Sequence, residues 1–260
     1  MKYLKAIKRL YTSSLFVAVC VSIVPPLLSR NSSVFSCFIP HYIPFPLFYI
    51  AEVYVITFGS FVFISFNIFV CSLIVSATIQ FRLVNFKIRD LNLKDIENDH
   101  EVEVYVRNVK KIIKHQQLLM RYVDDLNTIL SVPVALLMVT NMCMICTSMY
   151  NGTVTGGVLL DQIRMFAVMM CVVTESFLVY GFPTQAMMDQ SEATAETIYS
   201  ECKWYLPKLR HLRNDFLIMM MRSQEGVHIR AAKHHIINNR TVLLIMKTAY
   251  TFYTFMQKVA

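Results

Sequence analysis

The sequence predicts an all-α membrane protein, a polytopic helical bundle of five spans with a helical cytoplasmic portion. Three observations carry that prediction. Of 260 residues, 55% are hydrophobic and only 16% are charged, where a soluble domain carries roughly 25% charged residues. The mean hydropathy is +0.47. The apolar residues gather into uncharged runs about as long as a bilayer demands, which excludes a disordered chain and argues against a soluble globular domain.

The first run, Leu10 to Leu28, follows Lys2, Lys5, Lys8 and Arg9. The stretch Pro25-Pro26-Leu27-Leu28 at its end lacks a small-x-small cleavage site, so the run reads as a span over about 10–28 rather than a signal peptide. The second run, Leu47 to Ile79, exceeds one crossing and holds a span over about 53–79. Spans over about 129–150 and 165–185 follow. The last, about 241–257, is short for a bilayer and needs protein to shield its ends. Between the spans lie two short polar loops and two long charged connections, about 81–128 and 186–240.

Nine Lys and Arg fall in the first long connection and eight in the second, whereas Arg30 alone lies in a short loop. The positive-inside rule therefore puts the N-terminus and both long connections in the cytoplasm and the C-terminus outside. The sequons at Asn31 and Asn151 lie in the two short loops assigned to the outside, so both are expected glycosylation sites, while Asn239-Arg240-Thr241 lies inside. The net charge of +8 thus reports membrane orientation, and no nucleic-acid partner is expected.

From Val109 to Leu130, Ile112, Ile113, Leu118, Leu119, Tyr122, Val123, Leu126, Ile129 and Leu130 recur near helical spacing. Charged residues from Lys110 to Asp125 take the other face. This reads as an amphipathic helix entering the third span without a break. Ser191 to Tyr205 continues the fourth span as a polar helix, Pro207 breaks it, and Leu209 to Arg222 forms another amphipathic segment. Packed together these would make a cytoplasmic helical domain; the alternative is a pair of interfacial helices on anionic lipid.

Six glycines form no phosphate loop. Cys143 and Cys146 sit inside a span without partner ligands, and His234-His235 lacks a third ligand. Seven cysteines without repeated spacing form no disulfide framework. Neither an enzyme, a metal nor a cofactor is expected. Glu175 is the acid well inside a span, read either as a ligand or ion contact or as a carboxylate paired locally with Thr174 or Ser176. In the last span Lys247, Thr248, Thr251, Phe255 and Val259 share one stripe. It reads as a face turned to water, or as a packed helix whose threonines bond back to their own carbonyls.

Four stretches in this order resemble the C-terminal part of insect odorant receptors. Met219-Met220-Met221-Arg222-Ser223-Gln224 resembles the family's hydrophobic run closed by Arg-Ser-Gln. Leu244 to Thr254, reading Leu-Ile-Met-Lys-Thr-Ala-Tyr-Thr-Phe-Tyr-Thr, resembles its final helix, commonly L-x-I-L-K-T-S-Y-S-Y-F-T. The stretch from Tyr180 through Gln185, then Ser191-Glu192, Ile198-Tyr199 and Trp204-Tyr205, is similar to its sixth helix and following loop. Lys114-His115-Gln116 through Leu126 resembles the approach to its fifth helix. The departures are Ala232-Lys233-His234-His235 where Gly-Lys-Phe-Phe is frequent, and Asn238-Asn239-Arg240 where Ser-Leu-Glu is common.

The resemblance implies a subunit of a seven-span, ligand-gated, non-selective cation channel with its N-terminus inside, not a G-protein-coupled receptor. It would sit in the plasma membrane of olfactory sensory neurons as a heterotetramer with the odorant co-receptor, joined through an anchor domain made by the two long connections. The five spans would be helices three to seven, leaving helices one and two absent and one wall of the odorant pocket missing. Phe255 and Val259 match the hydrophobic gate of the pore-lining last helix, with Lys247, Thr248 and Thr251 along the same stripe. Depth in the bilayer nominates Cys20, Val21, Phe58, Phe61, Val62, Met169, Met170 and Val173 as a pocket for a small volatile hydrophobic ligand held by dispersion and shape. The rivals are a gustatory receptor of the same fold, a transporter fragment, and a truncated non-conducting subunit.

Overall fold

A computed structural model describes residues 2–28, 44–92, 99–154, 159–202, 204 and 206–259. The helices are α1 (Lys2–Leu28), α2 (Phe45–Asn92), α3 (Asp99–Val154), α4 (Leu159–Glu175), α5 (Phe182–Glu201), α6 (Arg213–Gln224) and α7 (Asn239–Val259). A π-turn, Ser176–Gly181, joins α4 to α5, and a 3₁₀ turn, Pro207–Leu212, precedes α6. Strands β1 (Arg230–Ala231) and β2 (His235–Ile236) pair antiparallel, Arg230 opposite Ile236.

The over-long second run is explained by α2, whose 48 residues join the expected span and the start of the charged connection in one helix. Likewise α3 runs 56 residues from the charged connection through the third span, with Pro133 inside it. The polar helix ends at Glu201, short of the expected Tyr205, and Pro207 instead opens the 3₁₀ turn, a first-turn position where its missing N–H is not needed, before α6. By length and hydropathy four stretches can cross a membrane: Lys5–Ile23, Phe45–Leu91, His100–Thr153 and Gln162–Glu201. At 21 residues α7 is not among them, since Lys247 and its threonines lower its hydropathy.

The chain forms two units. The first comprises Met1–Ser72, Leu136–Gly181 and Asn239–Ala260. In it α1 packs on α4, burying Ile7, Tyr11, Leu15 and Ala18 at successive turns, and α7 packs on the π-turn. Gly181 permits that last contact: a Cβ there would lie 2.7 Å from Asn239 Oδ1 and 3.5 Å from Val242 Cγ2.

The second unit comprises Leu73–Ala135 and Phe182–Asn238. Its buried stripes alternate three and four residues apart: Ile74, Ala77, Phe81, Val84, Ile88 and Leu91 on α2, and Tyr105, Val109, Ile112, Gln116, Leu119, Val123, Leu126 and Leu130 on α3. That spacing is the seam of packed helices. Ile88, Val109, Ile198 and Phe216, from four different helices, surround one small void. Two buried polar pairs interrupt the seam. Gln116 Nε2 donates to Ser223 Oγ at 2.7 Å, and Thr194 Oγ1 donates to Asn85 Oδ1 at 2.7 Å while Asn85 Nδ2 donates to the Gln190 carbonyl at 3.0 Å. An unmade partner at any of these costs about 1–3 kcal/mol, so they favour one register of the helices.

Candidate functional site

Within the first unit lies a cavity of about 500 Å³, within the range of small-molecule sites. Leu15, Ala18 and Val19 of α1, Ile56 and Phe63 of α2, Met144 of α3, and Met165, Val168 and Val172 of α4 make its walls. Its polar lining is Ser22, Ser60, Thr147, Ser148, Asn151 and Arg164, together with Glu175.

Glu175 is 1% exposed and belongs to a buried network. Asn67 is its hub: its Nδ2 donates to Tyr11 Oη at 2.7 Å and to Glu175 Oε1 at 3.1 Å, and its Oδ1 accepts from Tyr180 Oη at 2.6 Å. Beside it Asn141 Nδ2 donates to Ser176 Oγ at 3.2 Å. Four helices and the π-turn thereby meet at one polar cluster, of which Glu175 lines the cavity. The π-turn has a local cause. Pro183 has no N–H to give, and its ring presses on the carbonyl four residues earlier; a widened turn absorbs both, and such turns recur at functional sites.

Local pairing of Glu175 is not what the structure contains. Thr174 Oγ1 donates to the Met170 carbonyl at 2.7 Å and Ser176 Oγ to the Val172 carbonyl at 2.9 Å, so both hydroxyls are spent on their own helix. The carboxylate instead reaches across to α2 and faces the cavity.

None of the eight pocket residues nominated by depth lines this cavity. Phe58, Phe61, Val62 and Met170 are exposed on the outer faces of their helices, and Cys20, Val21, Met169 and Val173 are half-buried. Their chain neighbours Val19, Ser60, Phe63, Val168, Cys171 and Val172 line it instead. One residue turns a helix by about 100°, and depth says nothing about that angle. The sequence signal for the network behind Glu175 is Asn67, a lone amide inside an apolar run.

Of the glycosylation residues, Asn151 stands in the last turn of α3 and lines the cavity, and Asn31 lies outside the described residues. On α7 the stripe divides the two expectations. Thr248 and Thr251 bond back to the Leu244 and Lys247 carbonyls at 2.8 and 3.0 Å. Yet Lys247, Thr251 and Phe255 form an exposed row, Phe255 at 62%, opposite the buried Val242, Ala249 and Tyr253. Val259 closes the same helix.

Residues 2–250 match the family described as 7tm Odorant receptor, a family of receptors rather than enzymes. Odorant receptor 49a of Drosophila melanogaster is 30% identical over 142 residues, which is 55% of this chain and 35% of that protein. The insect olfactory receptor OR5 from Machilis hrabei superposes with a TM-score of 0.77 at 15% identity, over 99% of this chain and 66% of that one. The structure of the same receptor in complex with eugenol gives 0.72 at 14% identity over the same shares. The matched stretch is about a third of the length of the curated relative, and the chain spans just under two thirds of the solved receptor. By the extent of the family match, the chain belongs to the 7tm odorant receptor family.

Proposed function

We propose that the chain is part of an odorant receptor subunit that binds a small volatile in the 500 Å³ cavity and gates a non-selective cation pore together with the odorant co-receptor. The observation that carries this reading is the cavity itself: largely apolar walls with Glu175 among the lining residues, tied through Asn67 to Tyr11 and Tyr180. Apolar walls bind a volatile by dispersion and shape, and a few placed polar groups fix its orientation. The eugenol complex of the solved relative supports a small-molecule ligand. Glu175, as an acceptor in the lining, favours ligands that carry a hydroxyl or amine donor.

The route from cavity to pore follows the chain. Glu175 ends α4, the π-turn begins at Ser176, and Gly181 at its end meets Asn239 and Val242 at the start of α7. A ligand that binds better when the π-turn is shifted biases α7, and the coupling equals the difference in its affinity for the two positions. In this reading Lys247, Thr248 and Thr251 line the pore and Phe255 with Val259 forms a gate that closes by dewetting. The five spans, an inside N-terminus, an outside C-terminus and a plasma-membrane site in olfactory neurons complete the proposal.

The test is current recording from cells expressing the chain with the co-receptor under an odour panel. The wild type should give odour-evoked cation currents. Val168→Trp, which fills the cavity, should abolish them at unchanged surface expression. A wild type without odour-evoked current, or a Val168→Trp chain that responds like it, overturns the reading.

A further inference from the structure

The second unit holds a larger cavity, about 680 Å³, that the receptor reading leaves without a role. Its lining carries four cations, Arg121 of α3, Arg222 of α6, Arg230 of β1 and Lys233 of the hairpin turn, against two carboxylates, Asp124 and Glu225. Among the described residues none of the four cationic side chains makes a hydrogen bond or ion pair, although the two acids share the same wall. Four like charges in one basin repel unless an anion joins them.

The backbone is arranged to hold them there. Ala232 and Lys233 have φ of 48° and 65°, a left-handed conformation that side chains with a Cβ seldom adopt. The hairpin keeps it through α3: the Ala232 N–H donates to the Ser131 carbonyl at 3.0 Å and the Lys233 N–H to Ser131 Oγ at 2.8 Å. One helical turn earlier Asn127 grips the incoming strand, its Nδ2 donating to the His228 carbonyl and its Oδ1 accepting from the Arg230 N–H, both at 2.8 Å. Two side chains of one helix thus fix the positions from which Arg230 and Lys233 enter the basin.

We infer that this basin binds a multiply phosphorylated headgroup of the phosphoinositide type, from an inner-leaflet lipid or as the free phosphorylated inositol. Three arginines lining one cavity offer guanidinium forks that match phosphate oxygens in a way that ammonium groups do not. The location fits as well: Asn127 and Ser131 straddle the cytoplasmic start of the third expected span, at residue 129, where basic pockets meet phosphoinositide headgroups. Placement at the leaflet rests on the proposed orientation; the chemistry of the basin does not.

The test uses the full chain purified in detergent. Inositol 1,4,5-trisphosphate is titrated by calorimetry, and the reconstituted chain is compared in phosphatidylcholine nanodiscs containing phosphatidylinositol 4,5-bisphosphate or phosphatidylserine at matched total charge, all at physiological ionic strength. Binding is expected, with Arg222→Gln and Arg230→Gln each lowering affinity about tenfold and Arg89→Gln, exposed on α2 outside the basin, leaving it unchanged. Binding of the bisphosphate nanodisc alone identifies the lipid as the source, and binding of the free trisphosphate identifies the soluble headgroup; both support the site. No binding in either arm, equal response to phosphatidylserine, or wild-type affinity in both arginine variants overturns it. The soluble arm needs neither a defined orientation nor conduction, so its failure is separable from failure of the receptor reading.

Discussion

Asn67 ties Tyr11, Tyr180 and Glu175 together from a fully buried position, so its removal should register as a loss of stability of calculable size. Hydrogen bonds in membrane bundles contribute about 0.6 kcal/mol each, with a maximum of about 1.7. Three of them place Asn67→Leu at roughly 2 kcal/mol, rising by about 1–3 kcal/mol if the Glu175 carboxylate keeps no partner. Asn67→Asp should be worse than Asn67→Leu, because it retains the size but sets a second carboxylate against Glu175 and loses both donors. Tyr180→Phe removes only the 2.6 Å bond and should cost about 0.6–1.7 kcal/mol. The deciding measurement is the double-mutant cycle, read by denaturant unfolding in detergent. If the bond exists as drawn, Asn67→Leu with Tyr180→Phe falls short of the sum of the single effects by about the value of that bond. Additivity within about 0.3 kcal/mol means the two side chains share nothing, and the argument for a polar cluster fails with it.

Three further outcomes follow from particular contacts. Leu119→Ala should cost about 2–5 kcal/mol and its neighbour Leu118→Ala under about 0.5, because Leu119 is 4% exposed and Leu118 65%; the same unfolding measurement separates them. Gly181→Ala should destabilise by about 1–3 kcal/mol and blunt ligand responses, since the new Cβ would meet Asn239 Oδ1 at 2.7 Å; stability loss with unaltered responses would contradict the coupling route. His115 is held below its ordinary pKa by burial and then by Lys87. The unfolded chain therefore binds the proton first, so stability is full above the ordinary histidine pKa and declines as pH falls towards the depressed folded value. The melting temperature of the wild type should drop more than that of His115→Asn between about pH 7 and pH 5, and Lys87→Gln should narrow the gap.

How much of this was legible depends on what lies outside each helix. In the second unit Leu119, Val123 and Leu126 are readable as a core stripe because charged residues fill the other face. Leu118 and Ile129, also apolar, were grouped with them and prove to be exposed, at 65% and 69%. In the first unit both faces are apolar. Phe61 and Val62 are exposed while Ser60 and Phe63 on either side of them line the cavity. Hydropathy rises equally for a side chain against lipid and one against protein, so it yields the depth of a span and loses its rotation. Polar residues recover the rotation, because a buried amide such as Asn67 or Asn141 must face partners. The Asn67 network was illegible for another reason: Tyr11, Glu175 and Tyr180 are separated from it by 56, 108 and 113 residues.

The outer faces also carry information that the buried ones do not. Along α2 one buried stripe runs unbroken through Asn67, Val70, Ile74, Ala77, Phe81, Val84, Ile88 and Leu91. Its exposed side changes from Phe58, Phe61, Val62 and Phe69 to Arg82, Lys87, Arg89 and Asp90. On α3 the exposed side changes in the opposite sense, from Lys114, Arg121 and Asp125 to Ile129, Val132 and Leu136. The buried stripe is continuous across those changes, so they are what the proposed spans predict for a change of solvent near residue 80 and near residue 128. Two phenylalanines of one helix test this. Phe61 and Phe86 are equally exposed, 68% and 67%, and differ only in which solvent they are assigned. Phe61→Lys, within the span, should cost about 2.5–3.5 kcal/mol of insertion free energy, whereas Phe86→Lys should be near neutral. An insertion assay on both variants decides it, and equal penalties would remove the boundary from α2.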